Sequence, residues 1–266
     1  MKISISVDQE ICKKCYACID ECPFDLINKD KEGFPQLRKA AVKRCIRCGH
    51  CMAVCIADAL DISISPLATS PSVEKGLLPD PQSVKHFIES RRSIRAYKKK
   101  NVDRSLLENI LDVSRYAPSA HNCQPVHWIM VEDPSEVKRI AGLVVNYMQE
   151  LKIFPGLIRA WDQGVDKVLR GAPHLAIAHA DPASSQHLVE DCTLATAYLD
   201  LAAHSHGIGA CWAGFLVQAI QQQYQPVIDA LDLPENHKVY TALMLGYPKV
   251  RYRHIPQRDP LKITWK

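Results

Sequence analysis

The sequence predicts an α+β protein built from two domains, a small cysteine-rich one and a larger one that mixes helices and strands. Eight of its eleven cysteines lie before Asp61 in a chain of 266 residues. A proline-rich stretch follows at residues 65–81. Beyond it, helical apolar stripes alternate with short apolar runs bounded by turn residues, a pattern typical of a mixed domain. We therefore expect domains at residues 1–64 and 82–266, joined by a linker at 65–81.

Composition and charge exclude several classes of protein. The formal net charge is only +4, and no basic run is longer than Lys98–Lys100, so no nucleic-acid partner is expected. The polar N-terminal residues lack the apolar stretch of a signal peptide. Residues 201–220 carry no formal charge but are interrupted by histidines and glycines, so no membrane span is expected. We expect a cytoplasmic protein whose cysteines are not in disulfides.

The cysteines of the first domain form an internal duplication. The motif C-x2-C-x2-C-x3-C occurs twice, and each cysteine of the second copy lies 33 residues after its equivalent in the first. The two copies are Cys12, Cys15, Cys18 and Cys22, and then Cys45, Cys48, Cys51 and Cys55. A segment this small buries too little apolar surface to fold unaided, so we expect a bound inorganic group to stabilise it.

Two kinds of inorganic group use four thiolates. Zinc does so in structural sites, but its motifs separate two C-x2-C pairs by a longer loop. Three cysteines at x2-x2 spacing, with a fourth after x3, are the spacing of bacterial two-cluster ferredoxins, whose fourth cysteine binds the other cluster. The spacing favours 4Fe–4S clusters and leaves zinc as the alternative.

The run from Cys12 to Pro23 closely resembles a bacterial-type two-cluster ferredoxin domain, and the resemblance extends over about residues 1–64. It implies two 4Fe–4S clusters with crossed ligands: Cys12, Cys15, Cys18 and Cys55 for cluster 1, and Cys22, Cys45, Cys48 and Cys51 for cluster 2. Ile56 replaces the proline that follows the fourth cysteine in the family, which alters a turn but removes no ligand. Two clusters of about −2 each would cancel the formal charge of +4.

The elements of the second domain follow from periodicity and capping residues. Asp103 is a candidate N-cap for a helix, Asp133 followed by Pro134 begins another, and a long helix is expected over residues 185–206, ending at Gly207. Strands are expected at His127–Val131, His174–His179 and Val239–Leu245. We assign the apolar stripes of these elements to the core.

Three segments of this domain carry polar chemistry. Residues 91–95 read R-R-S-I-R, which is either a solvated basic turn or a phosphate site, because guanidinium groups match phosphate oxygens. Residues 117–125 form a loop rich in amide and hydroxyl groups. Residues 207–215 have glycines at G-x-G-x4-G after a helix, which is not a dinucleotide-binding fingerprint.

Together these segments resemble the nitroreductase family of flavin mononucleotide (FMN) enzymes. The motifs R-R-S-x-R, A-P-S-x-x-N-x-Q-P and G-I-G-x-C-W-x-G occur in the family's order, and the tail from Gly246-Tyr-Pro248 to Arg258 matches its closing basic segment. The resemblance implies a nitroreductase-like α/β sandwich around a mainly antiparallel sheet. It also implies a homodimer in which terminal segments are exchanged and FMN sits at the interface.

The resemblance also implies residue roles. Arg91, Ser93 and Arg258 would hold the FMN phosphate, with Arg92 beside them, and Arg95 would lie at the N1/O2 edge of the ring. The backbone N–H groups of Ala213 and Gly214 would face N5 and O4. A second subunit would supply Pro118, Ser119 and Ala120, and Asn122 and Gln124 would belong to the same shell of contacts.

The other polar and aromatic residues have weaker claims to a role. His121 is the candidate proton donor near the flavin, whereas His204 and His206 are expected to be structural. Cys123, Cys192 and Cys211 are expected to be small buried residues, and Trp212 is expected to pack. Residues 146–170 are the candidate lid.

The two halves predict an iron–sulfur flavoprotein oxidoreductase. Clusters pass single electrons and a flavin transfers two, so a donor such as reduced ferredoxin would charge FMN through the clusters. The acceptor class implied by the resemblance is a small electrophile: a nitroaromatic, a quinone or an activated alkene. NAD(P)H remains the alternative donor. A pure electron-transfer module that docks on a partner enzyme, or another flavin chemistry such as dehalogenation or ring oxidation, remains the alternative function.

Overall fold

The computed structural model describes residues 3–266, and the chain divides after Leu78 into two compact units. This division falls inside the proline-rich stretch of residues 65–81. That stretch contains two short 3₁₀ turns, Leu67–Thr69 and Lys75–Leu77. Residues 1 and 2 of the predicted first domain lie outside the described residues.

The first unit holds short elements around a small core. They are β1 (Ile5–Val7), α1 (Ala17–Asp20), β2 (Ile27–Lys29), β3 (Pro35–Leu37), α2 (Ala41–Arg44), α3 (His50–Ala53) and β4 (Leu60–Ile62). Strand β1 pairs antiparallel with β4, and β2 with β3. The main apolar cluster of this unit has only four buried residues, namely Cys18, Met52, Leu60 and Ile62. Apolar burial on this scale contributes little stability, in keeping with the need for a bound group.

The second unit contains seven helices and four strands among its described residues. They are α4 (Pro81–Ser90), α5 (Arg104–Ser114), β5 (His127–Val131), α6 (Pro134–Glu150), α7 (Pro155–Asp162), β6 (His174–Ala180), α8 (Leu188–Ser205), β7 (Gly209–Trp212), α9 (Gly214–Gln221), α10 (Gln225–Ala230) and β8 (Lys238–Gly246). The sheet order is β5-β6-β8-β7, and every neighbouring pair is antiparallel.

Helices cover both faces of this sheet. Along β6, Leu175 and Ile177 pack with α6 and α9, while Ala176 between them packs with α5 and α8. This alternation follows from the twofold period of a strand. All seven residues of β6 are buried, because the strand is central and covered on both sides. The predicted α+β class and antiparallel sheet are confirmed.

Most predicted elements of the second unit are present. Strand β5 has the predicted bounds, and β6 and β8 extend the predicted strands by one or two residues. Asp133 caps α6 by accepting a hydrogen bond from the Ser135 N–H, whereas Asp103 precedes α5 without a side-chain cap. Over the described residues, no helix combines the length and apolarity that a membrane crossing needs.

Three histidine rings meet at one end of the sheet. His127 lies opposite His179 across the β5–β6 pair, and His237 approaches both from the turn before β8. The Nδ1 atoms of His179 and His237 are 2.9 Å apart. Burial, with His237 and His127 nearby, lowers the pKa of His179 to about 4. The folded protein therefore holds His179 neutral at pH values where the unfolded chain binds a proton.

We expect His179 to make the fold acid-sensitive. Because its folded pKa lies below the unfolded value of about 6.5, its contribution is complete above pH 6.5 and is lost as pH falls toward 4, by about 1.4 kcal/mol at pH 5.5. In His179→Gln, the free energy of unfolding should fall less between pH 7.5 and pH 5.5 than in the wild type, as measured by chemical denaturation. His254→Gln, on the exposed tail, is the control. Equal pH dependence in all three proteins would exclude this role.

Candidate redox sites

Each set of four thiols predicted for one cluster lines a cavity of its own. Cys12, Cys15, Cys18 and Cys55 line the first cavity, which has about 370 Å³ of empty space including the part open to solvent. Cys22, Cys45, Cys48 and Cys51 line the second, which has about 430 Å³. Within residues 3–266, no three His, Cys, Asp or Glu side chains converge on a single-ion site. The fourth cysteine of each motif thus faces the cavity of the other motif, which is the crossed grouping that a two-cluster ferredoxin requires.

The backbone repeats its shape along with the cysteines. Three pairs of residues 33 positions apart share the left-handed conformation: Lys14 and Arg47, Tyr16 and Gly49, and Asp25 and Asp58. Helices α1 and α3 begin directly after Tyr16 and Gly49, so the third cysteine of each motif lies in a helical turn. Left-handed conformations at residues other than glycine cost free energy and concentrate at functional sites.

Backbone donors point at the sulfur atoms. The Leu26 N–H donates to Cys22 Sγ (3.3 Å), and the equivalent Ala59 N–H donates to Cys55 Sγ (3.2 Å). Such donors stabilise thiolate ligands and set cluster potentials. Burial and neighbouring thiols raise the pKa of Cys18 and of Cys51 to about 11, because thiolates held together repel one another. A soft, positively charged metal core relieves that repulsion on binding, so these residues fit iron–sulfur clusters.

The R-R-S-I-R segment runs beside the edge strand β7. Ser93 forms a parallel bridge with Ala210, and the Ile94 N–H donates to the Ala210 carbonyl at 2.8 Å. A Cβ on Gly209 would lie 2.6 Å from Ile94 Cγ1, so only glycine permits this approach. The packing of Ile94 against Gly209 therefore fixes the backbone on both sides of it, at Ser93 and Arg95.

Cationic side chains of this segment and of later positions border a cavity with about 1110 Å³ of empty space, including the part open to solvent. Arg91, Arg92, Lys98 and Arg251 line it. Arg91 Nη1 is 3.2 Å from Oδ2 of the buried Asp200, and burial raises the pKa of Asp200 while Arg91 opposes that rise. Arg92 Nε is buried and has no hydrogen-bond partner among the described residues. An unsatisfied buried donor among cations fits an anionic ligand group such as the FMN phosphate.

Two further cations lie around Cys211, in β7. Burial raises the pKa of the Cys211 thiol, while Arg95 and Arg170 partly offset the rise. Arg170 lies in a turn before β6 where it and Gly171 both have positive φ, of 63° and 62°. In the sequence analysis, Arg170 was only the last residue of the candidate lid at residues 146–170. In the structure it adds a second positive charge to the surroundings of Arg95.

The loop of residues 117–125 is held by helix α8. The Ala120 N–H donates to Oδ1 of the buried Asp191 (2.9 Å), whose Oδ2 accepts from Ser185 Oγ (2.8 Å). Within the loop, Ser119 Oγ accepts from the Gln124 N–H, and the Gln124 side chain donates to Asn122 Oδ1. His121, Asn122 and Gln124 all have positive φ, between 48° and 53°. Asp191 positions this loop, and the sequence interpretation missed it.

The single chain does not join all the predicted flavin residues. Pro118, Ser119 and Gln124 line a separate cavity, with about 700 Å³ of empty space including the part open to solvent, and not the one lined by Arg91 and Arg92. Arg258 lies on the exposed tail beyond residue 250, which has neither helix nor strand, and it does not line either cavity. Both placements are compatible with the prediction that a second subunit contributes residues to the flavin site.

Of the two backbone N–H groups predicted to face the flavin, at residues 213 and 214, only one is available to it. The Ala213 N–H donates to the Ala242 carbonyl at 2.8 Å, so the expectation that it faces the flavin is wrong for this residue. Gly214 begins α9, and the first N–H groups of a helix have no acceptor within it. No atom lies within 4 Å of the position of a Gly214 Cβ, so this end of α9 opens onto free space.

The predictions for five further residues have clear outcomes. Cys192 and Cys211 are buried as predicted, but Cys123 is exposed because it lies on the loop of residues 117–125. Trp212 is 40% exposed, so packing accounts for only part of its surface. His204 has the predicted structural role, because its Nε2 lies 3.0 Å from Ser90 Oγ and connects α8 to the end of α4.

Comparison with known proteins decides the family. Residues 88–247 match the profile of the Nitroreductase family. The chain belongs to the nitroreductase family. Residues 4–56 match the profile of a 4Fe-4S dicluster domain, so the cysteine-rich unit of this nitroreductase is an iron–sulfur domain and the zinc alternative is set aside.

Relatives of this nitroreductase include an Archaeoglobus fulgidus protein described provisionally as an NADH dehydrogenase/NAD(P)H nitroreductase. It is 33% identical over 61% of this chain and 84% of its own length. An FMN-bound nitroreductase from Bacteroides fragilis is 25% identical, with a TM-score of 0.56 over 68% of this chain and 98% of its own. An FMN-bound nitroreductase from Desulfitobacterium hafniense, at 22% identity and a TM-score of 0.59 over 70% and 100%, shares the fold. The predicted enzyme class, an FMN-dependent oxidoreductase with 4Fe–4S clusters, is confirmed.

Proposed function

We propose that this nitroreductase takes up electrons singly at its two cysteine-bound clusters and delivers them in pairs to a small electrophile at its flavin site. The donor is a low-potential one-electron carrier such as reduced ferredoxin, and the acceptor is a nitroaromatic, a quinone or an activated alkene. The observation that supports this proposal is the presence, in one nitroreductase chain, of two four-thiol cavities with crossed cysteines. A flavin enzyme that draws electrons only from a dinucleotide has no need of them.

In this proposal some residues bind the FMN phosphate and others stabilise negative charge on the ring. When bound, the clusters supply one-electron transfer and FMN supplies two-electron reduction. Arg91, Ser93 and Arg258 hold the phosphate, and the buried Arg92 Nε completes its surroundings. Arg95 and Arg170 place positive charge near Cys211, where it would favour negative charge on a bound flavin ring. The Gly214 N–H, in the first turn of α9, has no acceptor within that helix and would be the backbone donor to the ring.

A homodimer completes the flavin site in this proposal. Helices α4, α5 and α8, with Tyr116 just beyond α5, expose seven large apolar side chains: Val84, Ile88, Val113, Tyr116, Val189, Leu194 and Tyr198. Exposed apolar surface on neighbouring elements of a soluble unit marks an interface. The loop of residues 117–125 is anchored on α8 through Asp191, so a partner that packs on α8 brings its own copy of the loop to the interface.

We expect Leu194→Lys to make the protein monomeric and to reduce FMN occupancy severely, because a lysine at the centre of an apolar interface leaves a charge unpaired. Analytical ultracentrifugation and the flavin absorbance of the purified protein measure the two effects. Val165→Lys, at a similarly exposed apolar position outside these three helices, is the control. A Leu194→Lys dimer with full FMN would contradict the interface.

The proposed electron path is tested by anaerobic stopped-flow spectroscopy. Wild-type protein and a Cys15→Ala/Cys48→Ala variant, each with its FMN content measured, are mixed with reduced ferredoxin or with NAD(P)H. We expect ferredoxin to reduce the flavin in the wild type and to fail in the variant, and a nitroaromatic or quinone to reoxidise the wild-type flavin. Equal flavin reduction in both proteins would overturn the path through the clusters. Reoxidation by a protein acceptor only would favour a carrier module.

A further inference from the structure

The two halves of the cysteine repeat share a fold but differ in charge. Between Glu32 and Asp58 the chain has five Lys or Arg residues and no Asp or Glu, although the whole chain is nearly balanced at 33 basic and 29 acidic residues. The five are Arg38, Lys39, Lys43, Arg44 and Arg47, which we call the basic face. This stretch supplies three of the four thiols of the second cavity.

The first half of the repeat has no such excess. Glu10 is the residue 33 positions before Lys43, and Asp20 and Glu21 are the equivalents of the neutral Ala53 and Val54. A cluster carries the same charge in either cavity, so a need to balance that charge would produce a basic excess in both halves. Lys13 and Lys14 line the first cavity, but that half also carries Asp8, Glu10, Asp20 and Glu21. Only the half that supplies three ligands of cluster 2 has a net excess of cations.

The basic face is exposed and is close along the chain to cysteines that line the second cavity. All five of its residues are solvent-exposed. Helix α2, which carries Lys43 and Arg44, leads directly into Cys45, whose N–H donates to the Ala41 carbonyl at 3.0 Å. The Arg47 N–H donates to Cys45 Sγ at 3.4 Å. These positive charges are therefore within a few residues of the sulfur ligands.

Four cations of this face form no ion pair within the described residues. Within residues 3–266, no ion pair connects Arg38, Lys39, Lys43 or Arg44 to a carboxylate. The Arg44 guanidinium lies 5.8 Å from the centre of the Phe24 ring, which lines the second cavity. Glu21 is the only carboxylate that lines that cavity in the described part of the chain, and it contacts His50 at 3.2 Å.

We propose that the basic face is the docking surface for an acidic one-electron carrier protein, which delivers its electron to cluster 2. This inference rests on the proposed function and names the partner and the cluster that receives the electron. In each encounter the carrier is oxidised by one electron and cluster 2 is reduced by one, and no proton or bond is exchanged. Opposite charge on the two surfaces steers the encounter and orients the metal centres, so association falls as salt rises.

The test uses the full-length holoprotein and an acidic 2Fe–2S ferredoxin as the probe. Lys43→Glu/Arg44→Glu reverses charge on the face, and Lys99→Glu/Lys138→Glu changes net charge equally at exposed positions of the second unit. We expect the Kd for ferredoxin, measured by isothermal titration calorimetry at low salt, to rise about tenfold or more in the first variant only. Iron and sulfide analysis confirms that both variants retain their clusters.

A second measurement separates docking from electron transfer. Reduced methyl viologen, a small cation, should reduce the clusters of the Lys43→Glu/Arg44→Glu variant at least as fast as those of the wild type, whereas ferredoxin should reduce them at least about tenfold more slowly. An unchanged ferredoxin Kd in this variant would overturn the docking surface while leaving the proposed function intact. Failure of ferredoxin to reduce wild-type clusters that viologen reduces would instead overturn the proposed donor. If the face binds a short DNA duplex, and its reversal abolishes that binding but not ferredoxin binding, the surface serves nucleic acid and the docking proposal is wrong.

Discussion

Replacing Cys15 and Cys55 together with alanine is expected to remove one cluster, whereas replacing Cys15 and Cys22 is expected to remove both. The reason is that Cys15 and Cys55 line the same cavity, while Cys22 lines the other. Iron should therefore fall from about eight atoms per chain to about four in the first variant and to nearly none in the second. Iron and acid-labile sulfide analysis of anaerobically purified protein, with electron paramagnetic resonance of the reduced state, measures the difference.

This pair of variants tests the crossed ligation directly. Both variants lose two thiols, and they differ only in whether those thiols line the same cavity or different cavities. Cys123→Ala, at an exposed cysteine outside the repeat, should keep all the iron. Uncrossed ligation would give the opposite result, with Cys15 and Cys22 sharing a cluster and the Cys15→Ala/Cys55→Ala variant losing both.

Gly209→Ala is expected to weaken FMN binding by about tenfold or more, although residue 209 donates no side chain to the site. The added Cβ would lie 2.6–2.8 Å from three atoms of Ile94. Overpacking of this kind costs about 1–3 kcal/mol, and relief requires Ile94 to move together with Ser93 and Arg95. Fluorescence titration of the apoprotein with FMN measures the affinity.

Reducing the clash should partly restore the site. We expect Gly209→Ala/Ile94→Ala to bind FMN more tightly than Gly209→Ala alone, because the second substitution removes Cγ1 and Cγ2, two of the three atoms that the new Cβ meets. Gly156→Ala is the control, since a Cβ there meets only the end of the Arg159 side chain, at 4.0 Å. The absence of rescue, together with normal thermal stability of Gly209→Ala, would show that Ile94 does not position this segment.

The strands and long helices could be predicted because their patterns are local. Strand β5 and helix α6 carry their own periodicity and capping residues, so a short window of sequence is enough. Strand β7 has no such signal: its four residues lie between glycines, and the sequence interpretation treated them as part of a turn. They become a strand only because β8 offers an edge for pairing. This pairing is a tertiary contact, which a short window of sequence does not contain.

The candidate sites divide in the same way. The cysteines and the 91–95 and 117–125 segments stand out as motifs, so sequence reasoning found them. Asp191 and Asp200 do not, because their partners Ala120 and Arg91 are 71 and 109 residues away. Ala213 was assigned a flavin contact from its place in a motif, but its N–H is used by the sheet. Whether a backbone donor is free depends on strand pairing, which a motif does not encode.

The exchange of Cys22 and Cys55 between the cavities determines the order in which the two ligand sets are completed during synthesis. A chain emerging from the ribosome presents every thiol of the second set once Cys51 is out, but it completes the first set only with Cys55. The set that begins earlier along the chain is therefore the later one to become whole. Neither copy of the motif contains all four ligands of one cluster. A cut anywhere between Cys22 and Cys45 would therefore leave each fragment with three of the four thiols of one cluster, and the fourth thiol on the other fragment.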